Sequence, residues 1–326
     1  MNDQLLERMK TTEFSLTVIF VAGFSLLAVT SGGVLLTRQS LQGFLTFLAI
    51  PILIGLAQMV VLSVGQLNLA VGGMGGAATA MMAVMLADRG WSVWSALLLG
   101  FFAATFMGAV NGALVVATRL NGFIITLGTL TTLIGVQHQF VRSFTINDYS
   151  PTLRNFGRQA ILGVPYILLI ALATAAVVAW FYRRTVLGRQ LLATGGNPEA
   201  ARLSGISNAR SIFVAHMLSG ALIGVASVVT IASLPGINRS IGGDWLLPSF
   251  ASPIIGGVVM GGGNIAVYGT VMAAGVIRLV DIARAQYSLH PSLVSFTIGA
   301  VVLSTVALSE WRRRRDDAQR SARKVR

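Results

Sequence analysis

The sequence predicts an all-α, polytopic integral membrane protein, and two observations carry this prediction: the composition and the length of the apolar runs. Of 326 residues, 54% are hydrophobic and 11% are charged, against roughly 25% charged residues in soluble domains. Cysteine is absent and histidine occurs three times, which argues against a thiolate or multi-histidine metal centre. We expect a single transmembrane domain over residues 1–326, with no catalytic residues and no bound metal.

Eight runs without an acidic or basic residue are long enough to span a bilayer, which takes about 20 apolar residues. They cover residues 14–37, 39–87, 90–118, 120–141, 159–182, 211–238, 245–277 and 285–309.

Two of these runs are predicted to contain more than one membrane segment. The run 39–87 has 49 residues and is interrupted by Gly65-Gln66-Leu67-Asn68, which predicts two helices joined at a polar break. The run 245–277 has 33 residues, so we expect a short hairpin that crosses twice or dips in and returns. A glycine cluster supplies its turn, at Gly256, Gly257, Gly261, Gly262 and Gly263. The total is about ten membrane segments.

The basic residues predict the orientation. The net charge of +13 comes from 24 basic and 11 acidic residues, and cytoplasmic loops collect such charge. The segment 183–210 has five arginines and the tail 310–326 has eight basic residues, so we expect both in the cytoplasm. Ten segments then place the N-terminus inside as well, with 16 of the 24 basic residues inside. Because the basic residues lie between apolar runs, they indicate membrane orientation and argue against nucleic-acid binding.

The segment 183–210 contains the signals of a short helix. Asn197 is a good N-cap and Pro198 suits the first helical position. Glu199 complements the positive helix end, and Gly205 suits the position after the C-cap. The spacing predicts about two turns, too few for a helix that is stable alone in water. We therefore expect it to dock, either on the inner face of this protein or on a partner.

Glu199-Ala200-Ala201, followed after three residues by Gly205, resembles the EAA loop of permease subunits in ATP-binding-cassette importers. The longer string 195–206 is similar to the bacterial ribose, xylose and galactose permease family, although the downstream part of the EAA motif is missing. In such permeases this loop inserts into a groove of the ATPase. The resemblance implies that the coupling residues are Asn197, Pro198, Glu199, Ala200, Ala201, Arg202, Ser204 and Gly205.

Three further stretches are similar to the same family. Asn111-Gly112 followed by Phe123–Leu130 resembles its NG…FIxTLGT pattern, and the glycines of 256–269 resemble its GG…GG…G hairpin. The stretch 65–72 corresponds to the family's GGIDLSVG but has Asn68 in place of the usual Asp. In this respect it is similar to the related branched-chain amino-acid permeases.

The resemblance implies partners and a substrate class. The resemblance implies a separate ATPase with two cassettes that uses ATP and Mg²⁺. The chain itself lacks the phosphate-binding GxxxxGK[ST] loop, so the energy for transport must come from another chain or from an ion gradient. A periplasmic or lipid-anchored binding protein would deliver a monosaccharide, such as a ribose-like pentose. A second permease chain, identical or different, would complete the pathway in the inner membrane of a bacterium.

Polar residues inside the predicted spans are candidates for the substrate pathway, and we select Gln58, Gln66, Asn68 and Asn111. For each residue singly, the alternative is an interhelical hydrogen bond. Unwound backbone within a membrane is tolerated where it is buried or lines a water-filled cavity, which favours the break at Gln66 and Asn68. By contrast, His216 is expected to be a satisfied core histidine, and Gln137-His138-Gln139 to be a solvated cap at the outer end of its span.

Two other kinds of transporter fit parts of the sequence. A branched-chain amino-acid permease of the same superfamily is favoured by Asn68-Leu69-Ala70, whereas Phe123–Leu130 looks sugar-type. An ion-coupled secondary carrier usually needs a carboxylate near the membrane midplane. Every Asp and Glu here lies in a predicted loop, a terminus or the outer end of a span, which disfavours the carrier. The case for a membrane enzyme is weaker still, since the sequence contains no paired carboxylates, metal cluster or Ser-His-Asp arrangement on common faces.

Overall fold

A computed structural model describes residues 12–141, 145–147, 149–288, 290, 292, 296 and 299–300. Most of the last predicted span and the predicted basic tail 310–326 lie outside these residues, as do Arg8 and Lys10.

Helices account for most of the described chain, as predicted. They are α1 (Thr12–Thr30), α2 (Arg38–Leu62), α3 (Val71–Ala87), α4 (Val93–Thr118), α5 (Gly122–Phe140), α6 (Pro151–Arg158), α7 (Tyr166–Arg184), α8 (Val186–Gly196), α9 (Pro198–Leu203), α10 (Asn208–Ser233), α11 (Leu246–Ile255) and α12 (Val267–Gln286). A short 3-10 turn, Val34–Leu36, separates α1 from α2. Many of these helices begin where a side-chain oxygen accepts a hydrogen bond from a first-turn N–H, which satisfies a donor that the helix itself leaves unpaired. Such N-caps are Thr37, Ser92, Asn121, Ser150, Thr185, Asn197 and Ser207.

Five of the described helices, α1, α2, α4, α7 and α10, are long and apolar enough to cross a membrane. Helices α3 and α11 are shorter but apolar. Helix α12 has 20 residues and includes three charged side chains, Arg278, Asp281 and Arg284. The described chain is therefore a helical membrane bundle.

Four short strands, which were not predicted, lie between the helices. Strand β1 (Thr145–Asn147) pairs antiparallel with β4 (Gly236–Asn238), and β2 (Ala160–Ile161) pairs with β3 (Val164–Pro165). Each strand has two or three residues, too few to produce an alternating pattern that a sequence reading can detect.

Each of the two divided runs contains two helices separated by a non-helical stretch. The run 39–87 forms α2 and α3, with an interruption from Ser63 to Ala70. The run 245–277 forms α11 and the first half of α12, and the loop between them contains Gly257, Gly262 and Gly263 at positive φ. Left-handed backbone of this kind costs glycine little, which explains the glycine cluster at the turn.

The segment 183–210 is more helical than expected. Besides the predicted short helix, it contains the 11-residue α8, and both of its ends continue into α7 and α10. Thr185 caps α8 by accepting from the Gly188 N–H at 3.0 Å. The prediction of a loop around a single short helix was wrong, because the three glycines among the 11 residues of α8 weaken its helical pattern.

The core lies around α2 and α10. Every residue of α2 from Ile52 to Leu62 is buried. Helix α10 packs along α4 and also contacts α2 and α3. Its approach to α4 depends on small residues: a Cβ added to Gly108 would lie 2.4 Å from the carbonyl oxygen of His216. Glycine at such contacts lets helix backbones approach closely in a membrane.

Candidate functional site

The predicted coupling residues form one exposed, well-terminated helix, α9. The Asn197 side chain accepts hydrogen bonds from the N–H groups of Glu199 and Ala200 at 3.1 and 3.0 Å. At the other end, the Ile206 N–H donates to the Ala201 carbonyl at 2.9 Å. This bond closes a Schellman motif around Gly205.

Gly205 is the residue that turns the chain out of α9. Its φ is +80°, which a residue with a Cβ adopts only at a cost. Its N–H donates to the carbonyl of Arg202 at 3.0 Å. The predicted N-cap, first-turn proline and terminal glycine of this helix are all confirmed.

Helix α9 presents nearly all of its surface to solvent. Only Ala201 is buried, whereas Leu203 is 81% exposed. Glu199 and Arg202 form an ion pair of 3.6 Å between exposed side chains, and such a pair contributes little to stability. Asn208 donates to the Pro198 carbonyl at 2.8 Å and thereby fixes the start of α9 against the start of α10. An exposed leucine on a fixed, capped helix is suited to contact with another protein.

Asn68 organises the break between α2 and α3. Its side-chain oxygen accepts from the Ala70 N–H at 3.0 Å, and its amide nitrogen donates to Ser219 Oγ at 3.1 Å. Gln58 faces the Asn68 backbone: with its side-chain amide oriented so that both groups are paired, its nitrogen donates to the Asn68 carbonyl at 2.9 Å and its oxygen accepts from the Asn68 N–H at 3.2 Å. Both side chains are fully buried. Unwound backbone at this depth is thus satisfied by side chains, as an apolar surrounding requires.

Gln66 joins the same break to the start of α5. Its side-chain oxygen accepts from the Gly122 N–H at 2.9 Å. Thr126, on the next turn of α5, accepts from the Leu69 N–H at 2.9 Å. Gln66 itself is half-buried, whereas Asn68 is fully buried.

Asn111 lies on α4, buried against the same region, and its amide nitrogen is 3.6 Å from Met74 Sδ. Gln58 therefore lies directly against Asn68, Asn111 is joined to Asn68 through Met74, and Gln66 lies in the same break but binds Gly122 of α5. Their role in a pathway stays a prediction. Ser219 and Thr126 belong to this cluster and were missed, because a lone hydroxyl on an apolar helix carries no sequence signal of its own.

Two expectations about polar residues need correction. His216 is fully buried as expected, yet neither ring nitrogen has a hydrogen-bond partner among the described residues. Gln137 is not a solvated cap: it is buried, and it donates to the carbonyls of Arg239 and Ile241 at 3.1 and 2.9 Å. The chain after α10 folds back over the end of α5, a long-range contact that no local sequence pattern indicates.

The start of α3 meets the start of α11. A Cβ on Gly72 would lie 2.1 Å from the Gly242 carbonyl oxygen, and one on Gly75 would lie 2.1 Å from the ring of Trp245. Two short apolar helices thus begin side by side within the bundle. The N-terminal end of a helix carries a partial positive charge.

The glycine hairpin between α11 and α12 is held by one side chain. Asn264 accepts from the Val259 N–H at 2.8 Å and donates to the Gly257 carbonyl at 3.1 Å.

A cavity of about 770 Å³ lies elsewhere, where α3, α5 and β1 end, and is lined by Asp88, Arg89 and Asn147 among others. Across the residues that the structure describes, no three His, Asp or Glu side chains gather as metal ligands.

Comparison with known proteins supplies the family. The model of the family "branched-chain amino acid transport system / permease component" matches residues 40–306. This chain belongs to that family. The permease is therefore a multi-pass integral membrane protein and a transport subunit.

Its relatives are permeases of importers. The D-allose transport system permease protein of Escherichia coli (strain K12) is 28% identical to this permease over 298 residues, 90% of either chain. The L-arabinose permease protein of Azospirillum brasilense is 27% identical and covers 95% of this chain and 90% of its own length. The fructose import permease protein of Rhizobium meliloti is 23% identical, over 91% and 85% respectively. No solved structure matches this permease significantly.

Proposed function

We propose that this chain is the permease subunit of an ATP-driven importer of a monosaccharide. The observation that carries the proposal is the match of the family over residues 40–306, together with relatives named for allose, arabinose and fructose that align over nearly the whole chain. ATP hydrolysis belongs to a separate subunit, and a binding protein outside the membrane delivers the sugar.

Helix α9 is proposed as the contact with the ATPase. It is exposed, capped at both ends and held to α10, so a force applied to it moves a defined element rather than a flexible loop. The exposed Leu203 supplies an apolar anchor, and Glu199 and Arg202 supply charges around it. ATP and Mg²⁺ would bind to the two cassettes of the partner.

Ten membrane segments with both termini in the cytoplasm are proposed for the topology. The end of α2 contacts the end of α8: a Cβ on Gly195 would lie 2.0 Å from the Ser63 carbonyl oxygen. If α8 and α9 face the cytoplasm, α2 therefore runs from the outside inwards and α1 runs outwards. The five arginines of 183–210 favour this orientation in the inner membrane of a bacterium.

The break with Gln58, Gln66, Asn68 and Asn111 is proposed as part of the sugar pathway, completed by a second permease chain. Amide groups can exchange hydrogen bonds with sugar hydroxyls without presenting a charge, and Gln66 is the least buried of the four side chains. Substitution of Asn68 is expected to change substrate choice or transport rate more than the amount of protein in the membrane. An unchanged transport profile in Asn68→Leu counts against the pathway role.

A branched-chain amino acid is the second candidate substrate. It is favoured by the Asn68-Leu69-Ala70 string and by the description of the family. The substrates differ in charge: a zwitterionic amino acid needs partners for its ammonium and carboxylate, which the uncharged side chains of the break provide only as dipoles. This favours a sugar.

The deciding experiment is purification of the tagged permease from its native membrane, with mass spectrometry of the co-purifying chains and ligand screening on any binding protein. A chain with two nucleotide-binding cassettes and a binding protein that takes a monosaccharide are the expected partners. A binding protein specific for leucine or valine would show that the substrate is an amino acid and not a sugar. Transport by the permease alone under an ion gradient would contradict the proposal of an ATP-driven importer.

A further inference from the structure

Three backbone segments meet beside the coupling helix, at what we call the glycine junction: Ser63, Gly65, Gly195, Gly262 and Gly263. Ser63 and Gly65 lie in the turn after α2, Gly195 lies in the last turn of α8, and the other two glycines lie in the loop after α11. A hydrogen bond of 2.9 Å from the Gly263 N–H to the Ser63 carbonyl joins two of the segments.

The third segment, the end of α8, contacts the other two through close backbone packing at Gly195. A Cβ added to Gly195 would lie 2.0 Å from the Ser63 carbonyl oxygen and 2.5 Å from the Gly263 nitrogen. One added to Gly262 would lie 2.6 Å from the Gly65 nitrogen. All of these atoms belong to backbone, which cannot move aside as a flexible side chain can. The three segments therefore touch main chain to main chain, and displacement of one presses directly on the others.

Each segment of the junction leads to a different part of the transport machinery. Gly195 is two residues before Asn197, the cap of the exposed helix α9. Ser63 opens the break that contains Asn68, and Gly263 separates the short α11 from α12. The junction thus lies between the proposed contact with the ATPase and both interruptions of the bundle.

Side chains brace the junction from two directions. Ser63 Oγ lies 2.7 Å from the hydroxyl of Tyr182, which is fastened in α7. Thr194 Oγ1 donates to Ser211 Oγ on α10 at 2.9 Å. All four side chains are buried. The end of α8 consequently moves together with the bundle and cannot slide past it.

We propose that Gly195 is a positioning residue for ATP-coupled transport: through the glycine junction it transmits displacement of α9 to the break at Asn68 and to the α11–α12 loop. This inference rests on the proposed function of the chain as a permease driven by a partner ATPase. Packed backbone suits the role, because dense contacts pass on a shift rather than absorb it.

Gly196 provides a matched control for Gly195. Both residues lie in the last turn of α8 and neither has positive φ, so alanine raises helix propensity at either position. A Cβ on Gly196 would lie 3.6 Å from Gly263 Cα, an ordinary contact. The two variants therefore differ in whether they separate the backbones of the junction.

The test uses the complete transporter, with its ATPase and binding protein, in proteoliposomes. Sugar uptake and ATP hydrolysis are measured on the same preparation. Gly195→Ala is expected to lower the uptake per ATP hydrolysed about tenfold, within the usual range of coupling energies between sites. Gly196→Ala is expected to keep the wild-type ratio. A Gly195→Ala transporter with the wild-type ratio, or an equal loss in Gly196→Ala, would overturn the proposal.

A second variant decides the matter if Gly195→Ala does not assemble. Tyr182→Phe removes the hydroxyl that braces Ser63 while keeping the ring, and it is expected to lower the uptake per ATP about threefold, the scale of one hydrogen bond. If Tyr182→Phe keeps the wild-type uptake per ATP hydrolysed, the proposal that the glycine junction transmits the displacement of α9 is wrong. Failure of the proposed function is distinct: the wild-type complex itself would then show no ATP-dependent uptake.

Discussion

The side-chain amide of Asn68 donates to the hydroxyl oxygen of Ser219 at 3.1 Å, across 151 residues of sequence. This bond ties the interruption between α2 and α3 to the middle of α10. Because the Asn68 oxygen also accepts from the Ala70 N–H, one buried side chain both starts α3 and fixes it to a neighbouring helix.

Asn68→Leu is expected to destabilise the permease by about 1–3 kcal/mol, because it leaves the buried Ala70 N–H unpaired. Ser219→Ala removes one bond and is expected to cost about 0.5–1.5 kcal/mol. The double variant should cost less than the sum of the single ones, by about 1 kcal/mol. Chemical unfolding in mixed detergent micelles measures all three, and strictly additive values would show that the bond contributes nothing.

The break between α2 and α3 could be predicted from the sequence, but its partners on other helices could not. A helix interruption was predicted at Gly65-Gln66-Leu67-Asn68, because helix propensity and polarity both change within these four residues. Its partners on other helices, Gln58, Thr126 and Ser219, are set by packing. No local pattern in a single sequence specifies such long-range pairs.

The same division holds elsewhere in the chain. The caps of α9 are local, so Asn197 and Gly205 were predicted correctly. Helix α8 was missed since its 11 residues include three glycines, which weaken a helical pattern. The burial of Gln137 was missed because the carbonyls that bind it belong to a loop about a hundred residues later.

Gly205→Pro is expected to abolish ATP-driven uptake while the amount of permease in the membrane stays unchanged. Proline holds φ near −65° and has no N–H, whereas Gly205 has φ +80° and donates to Arg202. Glu199→Lys should act in the same direction, since it places a positive charge at the positive end of α9. Uptake in proteoliposomes and quantitative blotting of membranes are the measurements.

A matched control for Gly205→Pro is Gly43→Ala, on α2, where an added Cβ meets no atom within 4 Å. This variant should transport as the wild type does. Normal, fully coupled uptake by Gly205→Pro would remove α9 from the coupling mechanism.

His216→Leu is expected to leave the melting temperature unchanged or to raise it. The imidazole is buried with both nitrogens unpaired among the described residues, and replacing an unsatisfied buried polar group by an apolar one of similar size recovers its desolvation cost. Thermal unfolding of the purified permease in detergent checks this. A clearly lower melting temperature would mean that the ring nitrogens do have a partner, such as a bound water or a group outside the described residues.

Gly75→Ala and Trp245→Leu test the contact between the starts of α3 and α11. A Cβ on Gly75 would lie 2.1 Å from the nearest atom of the Trp245 ring and within 2.9 Å of two more. Overpacking of this kind costs about 1–3 kcal/mol, while Trp245→Leu alone leaves a cavity.

Together the two changes compensate, because the shorter leucine vacates the space that the new methyl group needs. The double variant Gly75→Ala/Trp245→Leu is therefore expected to be more stable than the summed single effects by about 1 kcal/mol or more. The same unfolding assay in detergent gives the three values. Gly128→Ala on α5 has no atom within 4 Å of the added Cβ and serves as the control for the glycine change itself. If Trp245→Leu fails to rescue Gly75→Ala, α3 and α11 do not rely on this contact, and the close backbone approaches of Gly72 to Gly242 and of Gly76 to Ile241 account for the packing between the starts of the two helices.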